Sequence, residues 1–371
     1  MMYDKIIKKI LESIEQKSAL TGIYPKFSGN GYKACKIDIK NFHQIKRSAL
    51  NKKIAFIDGG NAEIIGSANF SLNFIRTACV VYRNNKKASA KRSEFFALIN
   101  TISHDNDIYY KASFFSLKGQ NLLEEPCFSS FDHTLMLGTN RAEISSVANA
   151  IRRFAELRMA KTMSERHNFC DIIVLDGILQ STITDENKYL NELYESCSKN
   201  KVILAALSKT TSLFTDDGNL LSAILGSISA LPVWFYHPIA EIKSVNHKAE
   251  MFFVKLHEKS RYVFRLEIFN EQKAKAEETI NELSSNCIDP IFIGYPYGLI
   301  EADKAGRVGN EEREFLKTIF SVKLNNTSPR GLTNESEKTS PRGLWNASDK
   351  KNIENYLNSA NAHEILDKIS F

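Results

Sequence analysis

The sequence predicts a mixed α/β protein: a sheet that begins with neighbouring antiparallel strands and continues through alternating helices and strands. Three observations carry this expectation. Apolar and β-branched runs, separated by short polar or glycine-bearing turns, crowd residues 53–83. From Asn140 onward, helical stripes alternate with short buried runs. Two of those runs, Lys53-Ile-Ala-Phe-Ile-Asp58-Gly59-Gly60 and Cys170-Asp-Ile-Ile-Val-Leu-Asp176-Gly177, end in Asp-Gly.

With 371 residues the chain has length for one large domain or two ordinary ones, and 43% hydrophobic residues with 23 Phe supply a sizeable core. A net charge of +6 permits a polyanionic partner without requiring one. Cys35, Cys79, Cys127, Cys170, Cys197 and Cys287 lie far apart with no CxxC, and most sit in apolar runs; they are expected to be reduced core thiols. The first residues lack the apolar core of a signal peptide, and no run reaches membrane-spanning length, so a cytoplasmic protein is expected.

In chain order, residues 3–16 set Ile6, Ile7, Ile10, Leu11 and Ile14 on one stripe, an amphipathic helix expected to pack on the main domain. Residues 17–52 are lysine-rich, with Tyr24, Phe27, Tyr32 and Phe42 interleaved. Such a mixture suits phosphate contacts with base stacking as well as it suits a solvated face. Residues 1–50 are accordingly set apart from a main domain over 51–371. Strands are expected at 53–58, 61–70 and 73–83, then a polar helix or excursion over 84–107 and a strand near 108–115. A helix from about 140 to 166, the strand to Asp176, a helix near 186–199, a strand at 201–207 and a helix near 217–230 follow. Residues 251–256 and 262–268 read as a hairpin, with helices at 271–285 and 298–322. Thr327-Ser-Pro-Arg-Gly-Leu332 recurs as Thr339-Ser-Pro-Arg-Gly-Leu344, marking 325–350 as an exposed insertion before a last helix at about 350–369. Antiparallel strands followed by helix, strand, helix, strand and helix are the order of the ribonuclease H-like fold, here with an extra C-terminal hairpin and helices; that likeness is analogy.

In that order Asp58 and Asp176 fall at strand ends, where carboxylates converge on divalent ions. Two-metal phosphodiester cleavage uses ions about 3.5–4 Å apart, and hard oxygen ligands suit Mg²⁺ or Mn²⁺. A strand over 171–176 covers roughly 17–20 Å, so an acid level with Asp176 lies about 11–13 residues before the end of the preceding antiparallel helix. That distance selects Glu156, whose alternative is a surface acid paired with Arg152 or Arg153. Asp303 reads as a helix-start acid or a ligand, His363 as packing or a metal ligand and proton relay, and Lys209 as a loop lysine or a phosphate contact.

Taken together, Phe56-Ile-Asp-Gly-Gly60, Val174-Leu-Asp-Gly177, Ala205-Ala-Leu-Ser-Lys209, Tyr295-Pro-Tyr-Gly-Leu-Ile-Glu-Ala-Asp303 and His363-Glu-Ile-Leu-Asp367 resemble, in this order, the NurA nuclease family. The resemblance runs from about residue 50 to the C-terminus. It implies a ribonuclease H-like fold and a Mn²⁺-dependent 5′-to-3′ exonuclease and single-strand endonuclease. It also implies a homodimer that works with the hexameric DNA translocase HerA in resecting DNA ends. The family's metal site carries over as Asp58, Glu156 and Asp176 with His363 as a fourth residue; Asp303 and Tyr295 lie in a family motif, with Tyr295 and Lys209 expected to contact single- or double-stranded DNA.

Two other readings compete. An actin-like ATP-binding phosphotransferase also begins strands with Asp-Gly, but a second glycine-rich phosphate loop is missing. A non-catalytic DNA-end or translocase adaptor would keep the fold while losing the acids, and every expected acid is present.

Overall fold

The computed structural model describes residues 2–16, 22–47, 51–67, 69–116 and 123–326. The repeat at 327–344, the expected last helix and His363 lie outside them. The chain begins with helix α1 (Met2–Gln16), then strands β1 (Pro25–Lys26), β2 (Tyr32–Ala34) and β3 (Phe42–Gln44). Four long strands follow: β4 (Ile54–Ser67), β5 (Phe70–Arg83), β6 (Lys86–His104) and β7 (Asp107–Ser116), and then the short β8 (Cys127–Ser129). Next come α2 (Ile144–Ser164), β9 (Ile172–Asp176), α3 (Glu186–Asn200), β10 (Ile203–Ser208), β11 (Phe214–Thr215) and α4 (Leu221–Ile228). The remainder holds β12 (Trp234–Tyr236), β13 (Ala240–Ile242), β14 (Ala249–Lys255), β15 (Phe264–Phe269), α5 (Ala276–Ser285), α6 (Tyr297–Gly306) and α7 (Asn310–Asn326). The protein is thus a mixed α/β fold with a large mixed sheet flanked by helices.

The chain divides into two units, residues 1–58, 78–91 and 156–305 forming one and residues 59–77, 92–155 and 306–371 the other. In the first unit the strand order is β3-β12-β14-β15-β10-β9-β4. Strands β4, β9 and β10 run parallel, while β15, β14, β12 and β3 continue antiparallel. Alternate residues of these strands, among them Phe56, Val174, Ala205, Leu207, Leu266 and Phe252, form one apolar layer with Ile280 and Leu283 of α5 and Leu299 and Ala302 of α6. That layer follows from the period of two in a strand, which puts every second side chain on one face. Helix α3 lies on β10, and its Tyr194 stacks on Phe269 of β15 with centroids 4.4 Å apart. Phe27 and Phe42 from the basic N-terminal stretch pack against a second cluster around Trp234, Tyr236 and Phe253, Phe42 meeting the Trp234 ring edge-on.

In the second unit the order runs β4-β5-β6-β7-β8, and Ile64, Ile65, Phe74 and Phe96 make a core against Leu316 and Phe320 of α7. Arg76 is held there by Glu94 and Glu312 and donates to the Arg307 carbonyl.

Four expectations change. The runs at 53–58 and 61–70 are one strand, because Gly59 and Gly60 stay extended within β4. A Cβ at Gly60 would stand 2.6 Å from the Gly306 carbonyl oxygen, so this glycine serves a close backbone approach. Residues 84–107, expected as a polar helix or excursion, hold the strand β6. Its first half is exposed and therefore shows no apolar alternation. The expected long helix at 298–322 is two helices broken at 307–309, beside Gly306 and Gly309. The stripe of α1, expected to pack, is exposed at Ile6, Ile7, Ile10 and Leu11.

Candidate active site

The register of the parallel strands builds the centre of the site. Ile54, Ala55, Phe56 and Ile57 of β4 pair with Ile172, Ile173, Val174 and Leu175 of β9. Asp58 and Asp176 come one residue further on. By strand alternation both belong to the face that carries Phe56 and Val174. Neighbouring strands lie about 4.8 Å apart, so two carboxylates stand side by side where the apolar layer ends. Asp58 is only 7% exposed. The chain leaves β9 through Gly177 at φ +113°, a left-handed turn that a side chain would strain, and its N–H donates to the Leu207 carbonyl at 3.0 Å.

Helix α6 brings a third acid. Gly298 in its first turn lies so close to the Phe56 ring that a Cβ there would stand 2.0 Å from the ring. Asp303, five residues along the same helix, acts by its charge on Lys209 and Tyr295 together with Asp58 and Asp176. The helix starts at Tyr297, which puts Asp303 in the second turn and removes its reading as a helix-start acid. Lys209, just past β10, donates to the Asp176 carboxylate at 2.5 Å and lies 5.7 Å from the centroid of the Tyr295 ring. Burial disfavours the Lys209 charge, but its hydrogen bond to Asp176 and the charges of Asp176, Asp58 and Asp303 raise its pKa, so the ammonium persists. Tyr295 is buried, and its hydroxyl has no hydrogen-bond partner among the described residues. Burial, reinforced by Asp176, Asp58 and Asp303, pushes its phenol far above the ordinary range, so it stays a neutral donor.

These residues match a hard divalent cation in the chemistry of their donors: carboxylate oxygens, with a positive charge already seated on Asp176. As the side chains stand, no group of three or more His, Cys, Asp or Glu is gathered into a ligand set among the described residues. The fit is therefore one of donor type. Glu156 sits on α2 as expected and is 3% exposed, which is unusual for a surface acid.

Sequence reasoning missed Glu267. Its carboxylate, wholly buried on β15, accepts from the Leu179 N–H at 2.6 Å and from Arg265 Nε at 2.8 Å. It thus holds the loop that leaves Asp176. His247 Nε2 approaches to 3.2 Å without the alignment of a hydrogen bond, while its Nδ1 meets the Tyr32 hydroxyl at 2.9 Å. The signal was an acid and an arginine two residues apart inside Tyr262-Val-Phe-Arg-Leu-Glu-Ile268, which alternation assigns to one solvent face.

The end of the parallel strands in this mixed α/β sheet thus presents carboxylates on neighbouring strands and a lysine seated on one of them. The chain belongs to the NurA family: the NurA domain matches residues 52–308. The chain is also similar in structure to the NurA nuclease from Sulfolobus solfataricus, with a TM-score of 0.49 and 16% identity over 88% of this chain and 97% of that one. A second similar structure is Endonuclease V from Ciona intestinalis in complex with a 24mer DNA, with a TM-score of 0.36 and 13% identity over 84% and 99% of the two chains. No curated protein matches the chain by sequence. Among the described residues, no helix is long and apolar enough to cross a membrane.

Proposed function

We propose that this chain is a divalent-metal-dependent deoxyribonuclease with a ribonuclease H-like fold, acting as a 5′-to-3′ exonuclease and single-strand endonuclease in DNA end resection. The observation that carries the reading is that Asp58 and Asp176 each come one residue beyond the Ile57–Leu175 pair on adjacent parallel strands, in a chain of the NurA family. Asp58 and Asp176, with Glu156 and His363, would hold Mn²⁺ or Mg²⁺, and Asp303 would add a carboxylate from α6. Bound there, such ions would supply the Lewis-acid chemistry that lowers the pKa of water and stabilises a leaving 3′ oxygen. The chain's own residues do the rest. Lys209 sits on Asp176 and is placed to pass to a phosphate oxygen when that carboxylate takes a cation. The Tyr295 hydroxyl, which has no hydrogen-bond partner among the described residues, would offer a donor to the same phosphate. Family membership supports a cytoplasmic homodimer working with a HerA-type hexameric ATPase.

The test is hydrolysis of labelled single- and double-stranded DNA with Mn²⁺. Asp58→Asn and Asp176→Asn should each lower the rate by at least about a hundredfold, the scale of losing one electrostatic group at a reacting centre. Chelation should abolish it, and re-addition of Mn²⁺ should restore it. Full activity in both variants would remove these residues from the site. DNA binding without cleavage under any divalent metal would favour the adaptor reading.

A further inference from the structure

Beside Tyr295 lies a pair of aromatic rings, Tyr262 and Phe292, that the reaction above does not use. Tyr262 and Phe292 stack with centroids 5.1 Å apart and planes 24° from parallel. Phe292 meets Tyr295 edge-to-face at 5.7 Å. Lys209 then links the Tyr295 ring to Asp176 through its contacts of 5.7 Å and 2.5 Å. A continuous line of contacts therefore runs from the surface to the paired acids. Its outer end is open: Tyr262 is 56% exposed and Phe292 37%. An exposed aromatic cluster, unlike a single exposed apolar residue, marks a surface with something to bind.

The rings are held in place. Gly294 adopts φ +95°, and a Cβ there would lie 2.4 Å from Ser260. Buried Ser260 in turn accepts from the Tyr262 N–H through its Oγ at 3.1 Å. The Gly294 N–H donates to the Cys287 carbonyl at 2.9 Å, and the Tyr295 N–H to the Phe292 carbonyl at 3.1 Å. Two loops are thereby locked against each other with their rings already stacked, and binding need not order them.

We propose that Tyr262 and Phe292 form a stacking platform for unpaired bases of a single DNA strand whose backbone leads to Asp58 and Asp176. This rests on the nuclease reading and adds where the bases of the strand are held. Flat rings with an exposed face take any base, because every base has a π-face, whereas a duplex keeps its bases stacked on one another. The charge fits as well. Lys259 and Arg261 precede Tyr262 against the single acid Glu258, and Lys209 stands between the platform and the acids. Rings interleaved with cations are what tracks a single strand.

The experiment measures fluorescence anisotropy of the full chain in EDTA, so that binding is read without cleavage. Three probes of one length are used: oligothymidylate, the same phosphodiester backbone without bases, and a blunt duplex. Tyr262→Ala should weaken oligothymidylate binding by about five- to twentyfold, the scale of one lost base stack. Tyr262→Phe should stay within about twofold of wild type, since the ring remains. Neither change should move binding of the abasic strand or the duplex by more than about twofold. Tyr262 is surface-exposed, so its variants keep the test open if Phe292→Ala fails to fold. The platform is overturned if Tyr262→Ala binds oligothymidylate as wild type does, even if it loses self-association, or if it loses as much on the abasic strand. Wild-type protein that binds no DNA overturns the platform and the nuclease reading together. An unchanged Tyr262→Ala in a chain that binds and cleaves DNA overturns the platform alone.

Discussion

A single buried carboxylate shows how much of this site depends on groups that never touch substrate. Burial alone would raise the pKa of Glu267. The Arg265 guanidinium, His247 and the Leu179 N–H more than offset this and hold it at about 2, below its ordinary value of 4.5. A depressed carboxylate stabilises the fold at every pH above its unfolded pKa, and that contribution is lost as pH falls from about 4.5 towards 2. The shift corresponds to about 3 kcal/mol. Glu267→Gln keeps an acceptor for Leu179 but leaves Arg265 without its counter-charge. The variant should lose about 3 kcal/mol in urea unfolding at pH 7, and the gap to wild type should shrink as pH drops below about 4.5. A gap that stays constant from pH 7 to 3 would mean the ionised carboxylate is not what stabilises the loop after Asp176. The strand-end positions of Asp58 and Asp176 were legible because each closes a buried apolar run, and the order of strands and helices gave two ordinary Asp-Gly turns their places. Glu267 was not, because alternation tells which face a residue takes and not whether that face is covered.

At the scale of elements, the parallel core was readable, as were β5 and β7 but for their ends, whereas the unity of β4 and the whole of β6 were not. Residues 172–176 and 203–208 are short and apolar on both faces, so they stand out. The first half of β6 is solvated and carries no such signal. What could have revealed it are its turns: Asn84-Asn85 and Asp105-Asn106 all take positive φ, the chemistry of two-residue hairpins. Helix α6 was found but run into α7, because apolar spacing continues past a break that the backbone makes beside Gly306 and Gly309. The seat of α6 rests on Gly298. Gly298→Ala must displace the Phe56 ring or the helix, since the new methyl would meet the ring at 2.0 Å. The expected loss is about 1–3 kcal/mol in thermal or urea unfolding, with a fall in nuclease rate as Asp303 moves relative to Asp58. A variant with wild-type stability and rate would show that this contact does not set the position of the third acid.

At the scale of the whole molecule, charge and site oppose one another. The chain carries a formal +6 at pH 7, which favours a polyanion at long range. Yet the acids Asp58, Asp176 and Asp303 act together on Lys209 and Tyr295, and without a bound cation they repel phosphate. Lys209, the cation nearest to hand, is occupied by Asp176. The same substitution that should stop cleavage should therefore improve binding when no metal is present. In EDTA and low salt, Asp176→Asn removes one negative charge and frees Lys209 for a phosphate, so single-stranded DNA should bind about three- to tenfold tighter than to wild type. Screening must erase the gain: at about 0.5 M salt the two affinities should converge, because the Debye length there falls to about 4 Å. Lys209→Met in the Asp176→Asn background should return affinity to the wild-type level or below. Binding that is unchanged by Asp176→Asn in EDTA, or a gain that survives high salt, would show that the Asp176–Lys209 pair does not control access of the DNA backbone to the carboxylates.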